Sequence, residues 1–260
     1  MTSSELFDLT GKVAVVTGGS RGLGYAMARA LGHAGAKVAI TARKQEELAA
    51  ARKTLSDEGI EVLAVQNDIG KPGQSVALVD QVMNAFGKID ILVNNAGATW
   101  GAAAEAYPKE AWQKVVDVNL NGTWWLSQEV AVRSMIPSKR GVIINIASVA
   151  GLRARAPGEV PTVAYNVSKA AQNNLTQCLA AEWGKFGIRV NAIMPGWFPT
   201  KMTKGTLEGS AEKFNARTPL GRAGDLMSDL TGPILFLASD ASSYVTGHLL
   251  AVDGGGSTVM

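Results

Sequence analysis

Seven short runs rich in β-branched and other apolar residues punctuate the chain: Val13–Thr17, Val38–Thr41, Val62–Val65, Ile89–Val93, Val142–Ile146, Arg189–Met194 and Leu249–Val252. Strands that are apolar on both faces suit a parallel sheet covered by helices on each side. The stretches between them are longer and helical in period. Leu23, Met27, Ala30, Leu31 and Ala34, for example, share one face at three- and four-residue spacing. Regular strand–helix–strand alternation predicts a doubly wound α/β fold, a seven-stranded parallel sheet with right-handed crossovers and helices on both faces. No Pro- or Ser-rich linker and no repeat divides the chain. Residues 1–260 are therefore expected to form a single domain, in which the irregular segment 195–220 reads as a flexible substrate loop with a helical turn or two.

Composition narrows the function classes. With 260 residues, 47% of them hydrophobic, the chain has enough apolar material for a full core, which excludes disorder and a disulfide scaffold. A net charge of +3 with no basic run gives no footprint for nucleic acid. One cysteine, Cys178, and two histidines, His33 and His248, cannot build a Cys/His metal site. No stretch approaches the ~18 apolar residues of a membrane helix, and MTSSELFDLTGK has no secretory layout, so a cytoplasmic protein is expected.

The first strand runs straight into TGGSRGLG, Thr17 to Gly24, with a helical pattern from Leu23. Glycines there let backbone approach a pyrophosphate, and the helix amino terminus offers unpaired N–H groups to it. The spacing of Gly18, Gly22 and Gly24 is G-x-x-x-G-x-G, not the common dinucleotide fingerprint, and a tight turn without a ligand is the plain alternative. Gly18 to Gly22 also fits G-x-S-x-G, with Ser20 as a nucleophile and His248 as base. That elbow would sit on the first strand, where no earlier strand supplies an oxyanion-hole loop. A P-loop is excluded, because no Gly-Lys pair is followed by Ser or Thr.

The end of the second strand should meet the adenosine ribose, where a carboxylate holds a diol and arginine suits a 2′-phosphate. Here the sequence is Thr41-Ala42-Arg43-Lys44, and the first acids, Glu46 and Glu47, belong to the next helix. With Arg21 on the other side, NADP(H) is the preferred cofactor and NAD(H) the alternative.

Taken together, TGGSRGLG, NDI at Asn67, NNAG at Asn94, VNLNG at Val118, INIASVAG at Ile143, YNVSK at Tyr165, IRVNAIMPG at Ile188 and VDGG at Val252 occur in an order that resembles the short-chain dehydrogenase/reductase family over nearly the whole chain. The resemblance implies a Rossmann fold and a catalytic set of Asn119, Ser148, Tyr165 and Lys169. It further implies that Leu23 follows the phosphate turn, that Asp68 and the Ile69 backbone meet the adenine, and that Asn95, Ala96 and Gly97 close over the adenosine. Ser20 belongs to the same glycine loop. Pro195, Gly196, Phe198, Thr200 and Met202 are expected to flank the nicotinamide.

These residue types suit carbonyl reduction by hydride transfer. The alkoxide formed must be protonated, and a phenol with an ordinary pKa of ~10 does this near neutrality only if its anion is stabilised by about 4 kcal/mol. A cation ~4 Å away at an effective dielectric of ~20 supplies about that much. Tyr165 and Lys169 are four residues apart, one helical turn if the segment is helical. Ser148, just past the fifth strand, would hold the substrate oxygen, or else merely cap the next turn. Asn119, a poor helix former in an apolar helical stretch, is implied by the resemblance to hold a water linking Lys169 to solvent. Asn121 reads as an ordinary exposed polar residue.

The connection from Ser148 to Tyr165 is longer than usual in the family and brings in Arg153, Arg155, Pro157 and Pro161. The catalytic geometry is expected to survive, since loops accept insertions cheaply. Trp100, Trp197, Phe198 and Met202, with Arg153, Arg155, Lys201 and Lys204, form the expected pocket rim. Two segments, ATWGAAAEAYP and PGWFPTKMT, are similar to 3-oxoacyl reductase and gluconate 5-dehydrogenase branches. A ketone or 3-oxoacyl substrate is the first expectation and a sugar-acid ketone the second. A dinucleotide sensor without turnover is a third reading, opposed by the presence of Tyr165 and Lys169. Trp124, Trp125 and the small residues Ala170, Ala171, Ala180 and Ala181 suggest helix faces that associate, and the family resemblance implies a homotetramer.

Overall fold

The computed structural model describes residues 2–154, 160–203 and 211–259. Every apolar run contributes a strand: β1 (Val13–Thr17), β2 (Lys37–Ala42), β3 (Val62–Gln66), β4 (Ile91–Asn94), β5 (Gly141–Ile146), β6 (Ile188–Pro195) and β7 (Leu249–Val252). They pair in parallel in the order β3-β2-β1-β4-β5-β6-β7. The fourth strand starts two residues later than its apolar run suggests. Ile89 and Asp90 tie the sheet edge instead: the Asp90 carboxylate accepts the Val13 N–H at 2.9 Å, and the Ile89 N–H donates to Ser134 Oγ at 2.8 Å.

The helices are α1 (Ser3–Leu6), α2 (Gly22–His33), α3 (Gln45–Asp57), α4 (Gln74–Phe86), α5 (Lys109–Val116), α6 (Gly122–Val130), α7 (Ile136–Ser138), α8 (Val163–Trp183), α9 (Ala211–Ala216) and α10 (Thr231–Ala238). Strand residues alternate between two apolar layers, as a pleat requires. Ala14, Val16, Val38 and Ile40 pack with Met27 and Leu31 of α2, Leu48 of α3 and Ile234 of α10. Val13, Val15, Ala39 and Leu92 face the other way, onto Leu78 of α4, Leu126 of α6 and Leu179 of α8.

Two features of this frame place the site. From β1 the chain winds outward through β2 and β3, then returns to β4 on the opposite side of β1, so a crevice opens at the carboxyl ends of β1 and β4. The helical stretch holding Asn119 is also not regular: Asp117–Asn121 forms a π-helical segment between α5 and α6. Such widened turns re-aim side chains inward, and Asn119 is fully buried. Of the expected substrate loop, Pro195 closes β6, residues 201–203 form a turn and α9 supplies the helical turns, while residues 204–210 lie outside the described residues.

Candidate active site

The glycine loop is shaped by close backbone contact with the end of β4. Gly18 and Gly22 have φ of +65° and +56°, a region that side chains with a Cβ rarely adopt. A Cβ on Gly18 would stand 2.9 Å from Asn95 Nδ2, and one on Gly24 would collide with the same amide and with the Gly18 carbonyl. Asn95 holds this approach: its Nδ2 donates to the carbonyls of Thr17 and Gly18 at 2.7 and 3.2 Å. The Asn95 and Ala96 N–H groups both donate to Thr17 Oγ1 at 2.9 Å.

Beside this junction runs a groove of about 750 Å³. Of the residues expected at the cofactor, Gly18, Ser20, Arg21, Gly22, Leu23, Gly24, Arg43, Asp68, Ile69, Asn95, Ala96, Gly97, Thr200 and Met202 line it. Tyr165 and Gly196 line the adjoining cavity described below. Pro195 is buried at the last position of β6. Phe198, expected to flank the nicotinamide, lines neither the groove nor the adjoining cavity. Its side chain is only 3% exposed, and its ring presses on Gly224 so closely that a Cβ there would clash with it.

The lip of the groove carries Arg21, Arg43, Lys44 and Lys201. Glu47, in the first turn of α3, bends back to this lip and pairs with Arg21 through both oxygens at 2.9 and 2.8 Å. Lys44 and Lys201 approach the same carboxylate at 3.5 and 3.8 Å. Arg21 is thus engaged within the chain, through an acid that in sequence merely opens the following helix.

Tyr165 and Lys169 lie one turn apart on α8, with Lys169 Nζ 5.6 Å from the centre of the tyrosine ring. Nζ donates to the Ile146 carbonyl at 2.6 Å and to Gln172 Oε1 at 2.8 Å. Complete burial of this amine pushes its pKa down from 10.5 to about 7, because the charged form loses its hydration. Ser148 Oγ accepts the Ala150 N–H at 3.1 Å, so it does cap the following turn, and it also lines the substrate-side cavity with Tyr165. Asn119 grips Ala98 from both sides, accepting its N–H at 2.7 Å and donating to its carbonyl at 3.0 Å. Its Nδ2 also reaches Ser168 Oγ at 2.9 Å, and its own carbonyl accepts from Thr123 Oγ1 at 2.9 Å. Asn121 is half-buried, donating to Asp117 Oδ1 at 2.8 Å.

The long connection before Tyr165 is tied to α8. Asn166 Nδ2 donates to the carbonyls of Ala150 and Arg153 at 2.8 and 3.0 Å, and Thr162 Oγ1 donates to Asn166 Oδ1 at 2.8 Å. At Gly151 a Cβ would come within 2.6 Å of the Lys169 carbonyl carbon, so the turn that carries Ser148 rests directly on the helix of Tyr165 and Lys169. Arg155, Pro157 and Lys204 fall outside the described residues.

The substrate-side cavity, about 830 Å³, is lined by Ser148, Tyr165, Asn166, Arg153, Trp197 and Arg217 among others. Arg217 had no motif to announce it. Lys201 and Met202, expected on this rim, line the groove beside the glycine loop instead, and Trp100 lines neither cavity. Trp124 stacks on Trp183 within the chain, with ring centres 6.3 Å apart. Among the described residues no cluster of His, Cys, Asp or Glu could hold a metal, and no helix is long and apolar enough to cross a membrane.

A family profile described as enoyl-(acyl carrier protein) reductase matches residues 18–257. A gluconate 5-dehydrogenase of Gluconobacter oxydans is 38% identical over 257 residues, covering 98% of each chain. A 3-oxoacyl-(acyl-carrier-protein) reductase of Chlamydia trachomatis is 38% identical, covering 95% of this chain and 98% of its own. Among solved structures, a gluconate 5-dehydrogenase from Burkholderia cenocepacia in complex with NADP and tartrate superposes with a TM-score of 0.93 at 35% identity, covering all of both chains.

Proposed function

The chain belongs to the short-chain dehydrogenase/reductase family of oxidoreductases, and on that premise we propose that it interconverts a ketone and a secondary alcohol with NADP(H), using Tyr165 as general acid and base. The carrying observation is the Tyr165–Lys169 pair on one helical turn, with Tyr165 lining a cavity that also holds Ser148. Residues 1–260 act as one dinucleotide-binding and catalytic unit in this reading.

The residues present fit a phosphorylated dinucleotide. The cradle between Gly18, Gly24 and Asn95 is one that a Cβ would fill, and four cations line the groove. The glycine loop and the amino end of α2 would hold the pyrophosphate, Asp68 and the Ile69 backbone the adenine, and Asn95 to Gly97 the adenosine side. Arg21, Arg43 and Lys44 would hold the 2′-phosphate, and Gly196, Thr200 and Met202 the nicotinamide end. The cofactor, when bound, supplies or accepts the hydride. NADP in the complex of the Burkholderia relative supports this preference over NAD(H).

Ser148 donates its hydroxyl to the substrate oxygen and holds it beside Tyr165. Tyr165 gives its phenolic proton to that oxygen during reduction and takes it back during oxidation. The Lys169 ammonium favours the phenolate: a charge 5.6 Å from the ring is worth about 3 kcal/mol at an effective dielectric of ~20, roughly two pKa units. The attraction is mutual, so the phenolate in turn keeps the buried amine charged, and the two titrate as a pair.

For the substrate we favour a polyhydroxy carbonyl compound of sugar-acid type. Arg153 and Arg217 on the cavity wall suit hydroxyl and carboxylate groups, and the gluconate 5-dehydrogenase relatives support this. A 3-oxoacyl substrate is the second reading, favoured by Trp197, Val149 and Val259 in the same lining and by the Chlamydia relative. The retained tyrosine and lysine argue against a sensor without turnover. We further expect a cytoplasmic homotetramer; Val167 on α8 and Val132 just past α6, 49% and 58% exposed, support that expectation. Following NADPH and NADH absorbance with 5-ketogluconate and with an acetoacetyl thioester tests the reading. NADPH-dependent turnover of the sugar acid is expected, and turnover of neither ketone, or of both only with NADH, contradicts it.

A further inference from the structure

Behind the proposed proton-transfer pair lies a polar chain that neither the motifs nor the proposed chemistry uses. Gln172 is fully buried on α8, three residues past Lys169. Its Oε1 accepts from Lys169 Nζ at 2.8 Å, and its Nε2 donates to Thr123 Oγ1 at 3.0 Å. Thr123 Oγ1 donates in turn to the Asn119 carbonyl at 2.9 Å. The orientation of the amide follows from its partners: an ammonium only donates, so the oxygen must face Lys169 and the nitrogen Thr123. Every hydrogen bond then points the same way, from the ammonium to the π-helical segment.

We infer that Gln172 is a positioning residue for Lys169, fixing the ammonium beside Tyr165. The inference rests on the reading of Tyr165 and Lys169 as the proton-transfer pair. Lys169 has three N–H donors, and in the absence of solvent each needs an acceptor. The Ile146 carbonyl and Gln172 take two from behind. The groove also approaches Nζ: a methyl placed on Gly97, a groove residue, would stand 4.0 Å from it. An amide accepts from an ammonium but does not take up its proton near neutrality, so the chain through Gln172 and Thr123 holds the lysine without carrying charge away.

The groups facing Lys169 are few. Tyr165 comes from its own helix, Ile146 from β5, and Asn119 and Gly97 from the π segment and the β4 loop, while Gly151 packs on the Lys169 backbone. Among these only Tyr165 titrates. Asp117, the acid of the π segment, is engaged by Gln113 and Asn121. Removing the Gln172 acceptor therefore takes away a hydrogen bond to the charged amine that no described carboxylate replaces.

The test is Gln172→Met, close in volume and without the acceptor, with Thr123→Val as a second variant that cuts the next link. Two quantities are measured: the titration of Lys169 in the cofactor-free protein, by NMR of ¹³Cε-labelled lysine assigned with Lys169→Arg, and the pH profile of kcat for alcohol oxidation. Gln172→Met should lower the Lys169 midpoint by about one to two pH units and move the rising limb of the oxidation profile to higher pH. Thr123→Val should shift both in the same direction by less. A loss of thermal stability in either variant with an unmoved lysine titration and an unmoved profile makes Gln172 a core filler and overturns the inference. The NMR arm needs no turnover, so it separates this failure from failure of the catalytic reading, which full activity of Tyr165→Phe would reveal.

Discussion

Glu47→Gln is the sharpest probe of cofactor choice, because one carboxylate occupies the cations that a 2′-phosphate would need. Arg21 holds it through two bonds, and Lys44 and Lys201 stand within 4 Å. The Arg21 side chain is half exposed and Glu47 under a third, so solvent screening keeps the pair within the range of about 0.2–1 kcal/mol found for exposed ion pairs. Releasing Arg21 should then raise NADPH affinity about two- to fivefold, since about 1.4 kcal/mol is a factor of ten. NADH, which lacks the phosphate, should bind as before. Quenching of tryptophan fluorescence by each nucleotide gives both affinities. The NADPH gain should shrink as salt is raised toward ~1 M, where the Debye length falls to about 3 Å. If NADH binding weakens fivefold and NADPH binding does not change, Glu47 is a ligand of the ribose diol, and the assignment of the cationic lip to a 2′-phosphate is wrong.

Three further outcomes follow from the geometry. Ser148→Ala should reduce kcat by about 10²–10³-fold, the usual effect of losing a donor to developing negative charge, and steady-state kinetics would show whether KM bears the change instead. Asn166→Ala removes the donors that tie Ala150 and Arg153 to α8; a loss of about 1–3 kcal/mol should appear as a lower melting temperature with a raised KM. Lys169→Met should stabilise the protein below neutrality. The native pKa of about 7 lies under the ordinary 10.5, so between those values the unfolded chain binds more protons and wild-type stability rises with pH. The advantage of the variant, at most ~5 kcal/mol, should be full below pH ~7 and fade toward pH ~10.5; urea titrations across that range measure it.

The sheet was legible because its strands are short, β-branched and separated by helical periodicity, and both layers of the core then follow from the pleat. The limits lie where tertiary contacts decide. Asp90 reads as part of an apolar run but serves as a carboxylate cap on β1. The π-helical turn at Asp117–Asn121 leaves no periodic trace, since a widening by one residue depends on what the turn packs against. Phe198 follows PGW and looks like a cofactor contact, yet the space left by Gly224 draws the ring inward. Glu47 reaches the groove because β2 and the glycine loop are neighbours in space, which only the folded sheet brings about. Gln172 did carry a signal: an amide three residues past a lysine, on the same helix face as Tyr165, Ser168 and Thr176.

The central claim is that the buried ammonium makes the phenol a competent proton carrier, and alcohol oxidation by Lys169→Met across pH tests it most directly. The loss of about 3 kcal/mol of phenolate stabilisation should cost roughly a hundredfold in rate at neutral pH. That deficit should hold up to about pH 8, where the wild-type phenol ionises, then shrink about tenfold per pH unit as hydroxide completes the ionisation, and approach zero near pH ~10. A rate lowered by one constant factor at every pH would mean that the lysine only holds ligands, and would contradict the account.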